Sequence, residues 1–169
     1  IGCDKGFFID EARRWGYDVA GVELSAGGRS YAERIGLNVK EDILLFDKTF
    51  DSIVMWHSFE HHLEPIEALQ KYDKYLKPGG LIFIRVPNFN NFWRKMLEEK
   101  WIWMQPENHY FHYTLESLSF TIEKAGYNLE FIESRKPNNK LTKKMYKVSK
   151  MISSRIFEKK TPLRKKLGR

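Results

Sequence analysis

The run IGCDKGFF places Gly2 and Gly6 around Cys3, Asp4 and Lys5, in a turn that passes directly into the apolar residues Phe7-Phe8-Ile9. Glycines at such a turn let the backbone come close to a ligand. Glu23 follows at the spacing of about twenty residues where an acid accepts both hydroxyls of a ribose. Asp42, one strand further on, is placed to accept from an adenine amino group. Together these residues read as a site for an adenosine-containing ligand. Asp4 narrows the ligand's chemistry. A negative charge beside a helix N-terminus repels a pyrophosphate, which such an end otherwise favours, and tolerates an amine or a sulfonium. The turn therefore disfavours a dinucleotide and favours S-adenosylmethionine.

Positioning these residues requires an α/β frame. Phe8 to Trp15 reads as a helix stopped by Gly16, YDVAGVEL as a strand, and Ser25 as the cap of a helix running through Ala32. LNVKED and FDSIVMW are further strands. LEPIEALQKYDKYL carries Leu63, Ile66, Leu69, Tyr72 and Leu76 at close to helical period. LIFIRVP is a continuous apolar strand, TLESLSFTIEKAGY a helix capped by Thr114, and YNLEFIES a last strand. Short strands alternating with helices predict a doubly wound, mostly parallel sheet, with ligands at the carboxyl ends of the strands.

The order of motifs resembles the class I S-adenosylmethionine-dependent methyltransferases, in the branch that includes ubiquinone-biosynthesis-type O-methyltransferases. The matching stretches are IGCDKGFF, GVELS, EDI, FDSIVMWHSFEHHLEP, LKPGGLIFIRVPN and ENHYFHYTLESLSFTIEKAGY. They span residues 1 to about 133. The resemblance implies a Rossmann-like sheet and methyl transfer to a small-molecule acceptor, through an oxygen of a phenolic, quinone-like, sugar or lipid-linked compound. It implies cofactor contacts from Gly2, Cys3, Gly6, Phe7, Glu23, Leu24, Asp42, Ile43, Trp56 and His57. In that family a strand precedes the glycine turn and supplies an acid of its own; here both are missing from the sequence, and Asp4 stands where a glycine is usual. No candidate for the family's closing antiparallel strand is found after Arg135. The first 133 residues are expected to form the cofactor-binding domain, with 88–113 inserted as a lid and 134–169 as a tail.

Methyl transfer depends mainly on placing the acceptor in line with the sulfonium. An oxygen acceptor must also lose a proton, and histidine suits that near neutral pH. His57, His61, His109 and His112 are candidates, with His57 or His61 favoured because they follow FDSIVMW. His57, Glu60 and His61 have i, i+3, i+4 spacing that a metal could use on a helix, but such triplets are common and no metal is expected. The segment 88–113 holds Phe89, Phe92, Trp93, Trp101, Trp103, Tyr110, Phe111 and Tyr113, which suit a lid over a flat acceptor or a flap completing the core. Gly6→Val is expected to abolish cofactor binding with the fold retained.

Charge divides the chain. Of 29 Lys and Arg, 14 lie from Ser134 to Arg169 beside a single acid, Glu158, leaving 15 basic against 21 acidic residues in the body. In the tail, Leu141, Met145, Val148, Ile152 and Ile156 fall at helical spacing among lysines. This pattern fits either contact with an anionic membrane surface or docking on the domain. One alternative is a nucleic-acid methyltransferase that grips phosphates with the basic tail, disfavoured by the acidic body and by HSFE standing where amino-group DNA methyltransferases carry Asn-Pro-Pro-aromatic. Another is a catalytically silent cofactor-binding domain, favoured by Asp4 and the missing strand. A single cysteine excludes an internal disulfide and is compatible with a cytoplasmic setting.

Overall fold

The computed structural model describes residues 1–134 and the strand Phe157–Lys159. The strands are β1 (Gly21–Val22), β2 (Val39–Lys40), β3 (Phe50–Trp56), β4 (Leu76–Arg85), β5 (Tyr127–Leu129) and β6 (Phe157–Lys159). The helices are α1 (Phe7–Arg14), α2 (Ala26–Arg34), α3 (Pro65–Asp73), α4 (Phe92–Leu97) and α5 (Leu115–Lys124). β1 and β2 pair in parallel, and a second sheet has the order β3-β4-β6-β5. β3 and β4 are parallel, whereas β6 runs antiparallel to both of its neighbours. Residues 1–3 bridge the two sheets: the Ile1 nitrogen donates to the Val54 carbonyl at 2.8 Å, and the Cys3 amide donates to the Val22 carbonyl at 3.0 Å.

β6 supplies the antiparallel strand for which the sequence offered no candidate, so the expected tail contributes to the sheet at Phe157–Lys159. The stripe from Leu141 to Ile156 lies outside the described residues.

Most predicted elements form where the apolar pattern placed them, because each has one face to bury. Met55, Ile82 and Ile84 alternate along β3 and β4 and pack with Leu69 of α3 and with Leu118 and Ile122 of α5. Burial of each such side chain contributes about 1.5–3 kcal/mol. α5 begins with a reciprocal capping box: Thr114 accepts from the Ser117 amide while the Ser117 hydroxyl accepts from the Thr114 amide. The helical pattern expected through Leu76 stops at Asp73, and Lys77-Pro78-Gly79-Gly80, instead of separating a helix from a strand, is a bulge within β4. Phe50 pairs with Leu76 and Ser52 with Leu81, so the four residues loop out opposite Asp51.

His62 sits beneath the exit of β3. Its Nδ1 lies 3.1 Å from the Ser58 carbonyl, which can only accept, so Nε2 is left to accept from the Tyr72 hydroxyl at 2.7 Å. Burial holds the His62 pKa below the ordinary histidine value and raises that of Tyr72 to about 12. The unfolded chain takes up this proton near pH 6.5 and the folded chain only at lower pH, so stability is lost as pH falls below about 6.5. Urea unfolding at pH 7.5 and 5.5 should show this loss, and His62→Gln should reduce it; equal losses in both proteins would refute the assignment.

Candidate functional site

The glycine turn, the exits of β1 and β2, and the exit of β3 meet at one edge of the molecule. Gly2, Asp4 and Gly6 all have positive φ, at 66°, 47° and 80°. The turn is held to Glu23, whose Oε2 accepts from the Asp4 amide at 2.7 Å and whose Oε1 accepts from the Ser25 amide at 2.8 Å. An ionised carboxylate has about four lone-pair sites. Each Glu23 oxygen therefore keeps capacity for one further donor, which suits two adjacent ribose hydroxyls. Gly28 fixes this carboxylate from the α2 side, because a Cβ there would come within 3.2 Å of Glu23 Cγ and 3.3 Å of the Asp4 backbone.

The Glu23 amide donates to the Lys40 carbonyl at 2.9 Å, so Glu23 and Asp42 leave neighbouring strand ends. Asp42 is already engaged. Its Oδ1 caps the following turn through the Leu44 amide at 2.9 Å, and its Oδ2 pairs with Lys71 at 2.6 Å. Burial works against its charge, but the Leu44 amide and Lys71 outweigh it and hold the carboxyl below the ordinary range. Leu24 and Leu44 are 80% and 61% exposed, leaving apolar surface on either side of this edge. The paired acids, the open lone pairs of Glu23 and these leucines form a donor set that fits an adenosyl group.

Some sequence-derived contacts take another role. Gly6 faces the protein interior: a Cβ there would lie 2.4 Å from Leu37 Cδ1 and 3.2 Å from Ala32 Cβ. Packing alone therefore requires glycine here, which adds a cost to the fold that the expectation for Gly6→Val left out. Gly2 likewise lies against Ser58, whose Cβ would be 2.6 Å from an added methyl. Ile43 is buried in the core and can offer only its backbone. Phe7 packs edge-on against Tyr31, and Cys3 is half-buried beside Gly21.

At the exit of β3, His57 adopts φ 52°, a left-handed conformation rare for a non-glycine residue. Its amide donates to the Arg85 carbonyl at 2.8 Å. Phe59–His61 forms a 3-10 turn rather than a helix, so His57, Glu60 and His61 do not share a helical face. Glu60 is buried, and neither of its carboxylate oxygens has a hydrogen-bond partner among the described residues. Oε1 lies 3.4 Å from His57 Nδ1. Burial, and then the charge of Glu60, raises the Tyr113 pKa.

The aromatic insertion folds back over this exit. Trp103 stacks on His57 with ring centroids 4.8 Å apart and planes 7° off parallel. His61 Nδ1 donates to the Asn108 carbonyl at 2.8 Å and His109 Nδ1 to the Trp103 carbonyl at 2.9 Å, these oxygens being acceptors only. The Phe111 amide donates to the Glu60 carbonyl at 3.3 Å. One ligating atom each from Glu60, His61 and His109 lie within 4.8 Å of one another, and this is the set able to hold a cation among the described residues, in place of the triplet His57, Glu60 and His61. His112 is half-buried with no hydrogen-bond partner for its buried Nε2 among the described residues, and its pKa is lowered first by burial and then by His109. Sequence reasoning overlooked Glu60 as a buried charge, Trp103 as the ring on His57, Gly28 and Lys71. Only Gly28, in the pair Gly27-Gly28 at a capped helix start, carried a local signal.

Comparison with known proteins agrees with this geometry. Residues 1–130 match the family described as a methyltransferase domain. A ubiquinone biosynthesis O-methyltransferase of Cereibacter sphaeroides is 29% identical over 142 residues, covering 75% of this chain and 58% of that protein. Its counterpart in Dinoroseobacter shibae is 29% identical over 100 residues, covering 53% of this chain and 40% of that protein. The chain thus spans about half the length of the curated relatives it matches. An S-adenosylmethionine-dependent methyltransferase from Archaeoglobus fulgidus has a similar fold, with a TM-score of 0.63 at 20% identity, covering 94% of this chain and 83% of that one. A Thermotoga maritima methyltransferase, described as a possible histamine N-methyltransferase, gives 0.61 at 24% identity and covers 76% and 61%. With more than three-quarters of its length accounted for by the family match and the sheet order and acid-bearing strand ends in place, the chain belongs to the methyltransferase domain family, whose cofactor is S-adenosylmethionine.

Proposed function

We propose that the protein transfers a methyl group from S-adenosylmethionine to an oxygen of a small, flat acceptor of phenolic or quinone-like type, with His57 as the base. The observation that carries this reading is the arrangement around His57: Nδ1 faces the buried Glu60 at 3.4 Å and Trp103 covers the ring. With Nδ1–H directed to the carboxylate, Nε2 is the acceptor for a hydroxyl proton, and Glu60 stabilises the imidazolium that results. This is the division of labour by which a buried acid supports a histidine base. The distance is long for a hydrogen bond, as catalytic contacts often are before substrate binds. Bound cofactor supplies the electrophilic methyl group. Glu23 and the glycine turn would hold its adenosyl part, with Asp42 beside the base ring once Lys71 shares its charge. Trp103 and Trp56 give a flat acceptor aromatic surface.

Methylation of catechol-type acceptors, with products resolved by mass spectrometry, tests this. His57→Gln is expected to lower kcat about 100-fold or more, in line with a typical general-base contribution of 10²–10⁴, while S-adenosylhomocysteine affinity is kept. N-methylated products only, or full activity in the variant, would sink the reading.

Glu60 also favours a second reading of the same cluster. A divalent cation could be held by its unpartnered carboxylate with Nε2 of His61 and His109, each ring being oriented by a backbone carbonyl on Nδ1. Activity that survives a strong chelator favours the histidine base; activity lost to the chelator and restored by a divalent cation favours the cation. The family likeness also leaves a lipid-linked acceptor and peripheral contact with an anionic membrane through the basic tail as proposals. No helix among the described residues is long and apolar enough to cross a membrane.

A further inference from the structure

Arg85 is the last residue of β4, directly opposite Trp56 in register, and its carbonyl receives the His57 amide. It ends the apolar run Leu81-Ile82-Phe83-Ile84, on the face opposite Ile82 and Ile84. Its guanidinium carbon lies 4.3 Å from the centroid of the Trp56 ring. Among the described residues, no hydrogen bond or ion pair engages its five N–H donors. Several other cations are ion-paired, Arg13 and Arg14 with Asp10, Arg29 with Glu41, Lys71 with Asp42, and Lys77 with Asp51, whereas Arg34 and Lys124 share with Arg85 only a ring contact. Arg85 is therefore a partly buried positive charge on a residue whose backbone is tied to that of the candidate base, held by a ring that leaves its in-plane donors free.

Building on the proposed methyltransferase reading, we propose that Arg85 receives a carboxylate carried by the acceptor and so selects anionic aromatic substrates. A guanidinium cannot be neutralised in a protein, and its planar fork matches both oxygens of a carboxylate. Bidentate pairs of this kind are among the stronger charge-assisted hydrogen bonds. Stacking on Trp56 fixes the plane of the fork before a ligand arrives, so less side-chain freedom is lost on binding. Trp56 thus does more than border the cofactor: it orients the cation. A carboxylate could come from the methionine part of the cofactor or from the acceptor. The backbone link between Arg85 and His57 favours the acceptor, because an aromatic acid bound there would lie beside the group that takes its hydroxyl proton.

Calorimetric titrations with 3,4-dihydroxybenzoate, with catechol and with S-adenosylhomocysteine test the assignment, using wild type, Arg85→Met and Arg85→Lys. Wild type is expected to bind 3,4-dihydroxybenzoate at least 10-fold more tightly than catechol. Arg85→Met should remove that preference, leaving catechol and S-adenosylhomocysteine affinities within about 2-fold of wild type, and Arg85→Lys should restore part of it by charge alone. A wild type with no preference for the acid, or equal losses for both aromatic ligands in Arg85→Met, overturns the proposal. Loss confined to S-adenosylhomocysteine overturns it in favour of the cofactor's carboxylate. Absence of S-adenosylhomocysteine binding by wild type would instead refute the methyltransferase reading, whatever the preference between the two aromatic probes.

Discussion

Gly6→Val should strongly destabilise the fold rather than merely empty its cofactor site. Two costs act together. Gly6 has φ 80°, where a β-branched residue is a strong outlier, and left-handed backbone costs an ordinary residue about 1–2 kcal/mol. An added Cβ would also lie 2.4 Å from Leu37 Cδ1 and 3.2 Å from Ala32 Cβ, with Ala32 and Leu37 both buried in the small core beneath α1 and α2. Forcing bulk into a packed site costs about 1–3 kcal/mol more. The sum, roughly 2–5 kcal/mol, is a large part of the 5–15 kcal/mol that holds a typical domain. Urea unfolding should show it directly. Because Leu37 is the obstructing side chain, Gly6→Ala combined with Leu37→Ala should be less destabilised than the two single variants added together. A Gly6→Val protein with an unchanged unfolding midpoint and abolished S-adenosylhomocysteine binding would restore the ligand-facing interpretation of this glycine.

That glycine illustrates what a sequence discloses and what it conceals. A turn between Ile1 and Phe7 was legible from glycine spacing, and its position beside Glu23 from the order of apolar runs. The neighbour of Gly6 was not, because Leu37 reaches it only after α1, β1 and α2 have packed. β3 was legible to the residue, since Phe50 and the apolar run Ile53–Trp56 flank only Asp51 and Ser52, with polar turns on either side. β6 was hidden for the opposite reason. Phe157-Glu158-Lys159 offers one apolar residue amid lysines, and its strand character comes from β4 and β5, which lie far back along the chain. The histidines at the β3 exit were legible as chemistry but not as geometry. Glu60 reads as one more polar residue in HSFEHH until the 101–113 segment folds over it and removes water. Which histidine joins it is likewise set by that fold, and it brings His109 in from a distant stretch.

Glu23→Ala is expected to weaken S-adenosylhomocysteine binding at least 100-fold. Both carboxylate oxygens already accept a backbone amide, from Asp4 and from Ser25, and each retains a lone pair for a ribose hydroxyl. Hydrogen bonds to a charged group contribute about 1.5–3 kcal/mol each, and about 1.4 kcal/mol corresponds to a tenfold change in affinity. Two such bonds therefore account for a hundredfold loss even at the lower end. The variant also frees the Asp4 amide, loosening the turn, so affinity alone does not separate a lost ligand contact from a disordered loop. An analogue lacking the 2′-hydroxyl provides that separation. Wild type should bind 2′-deoxy-S-adenosylhomocysteine roughly tenfold more weakly than the parent compound, whereas Glu23→Ala should bind the two alike. If the variant still discriminates between them as wild type does, the carboxylate does not touch the sugar; its role is then confined to tying the glycine turn to β1.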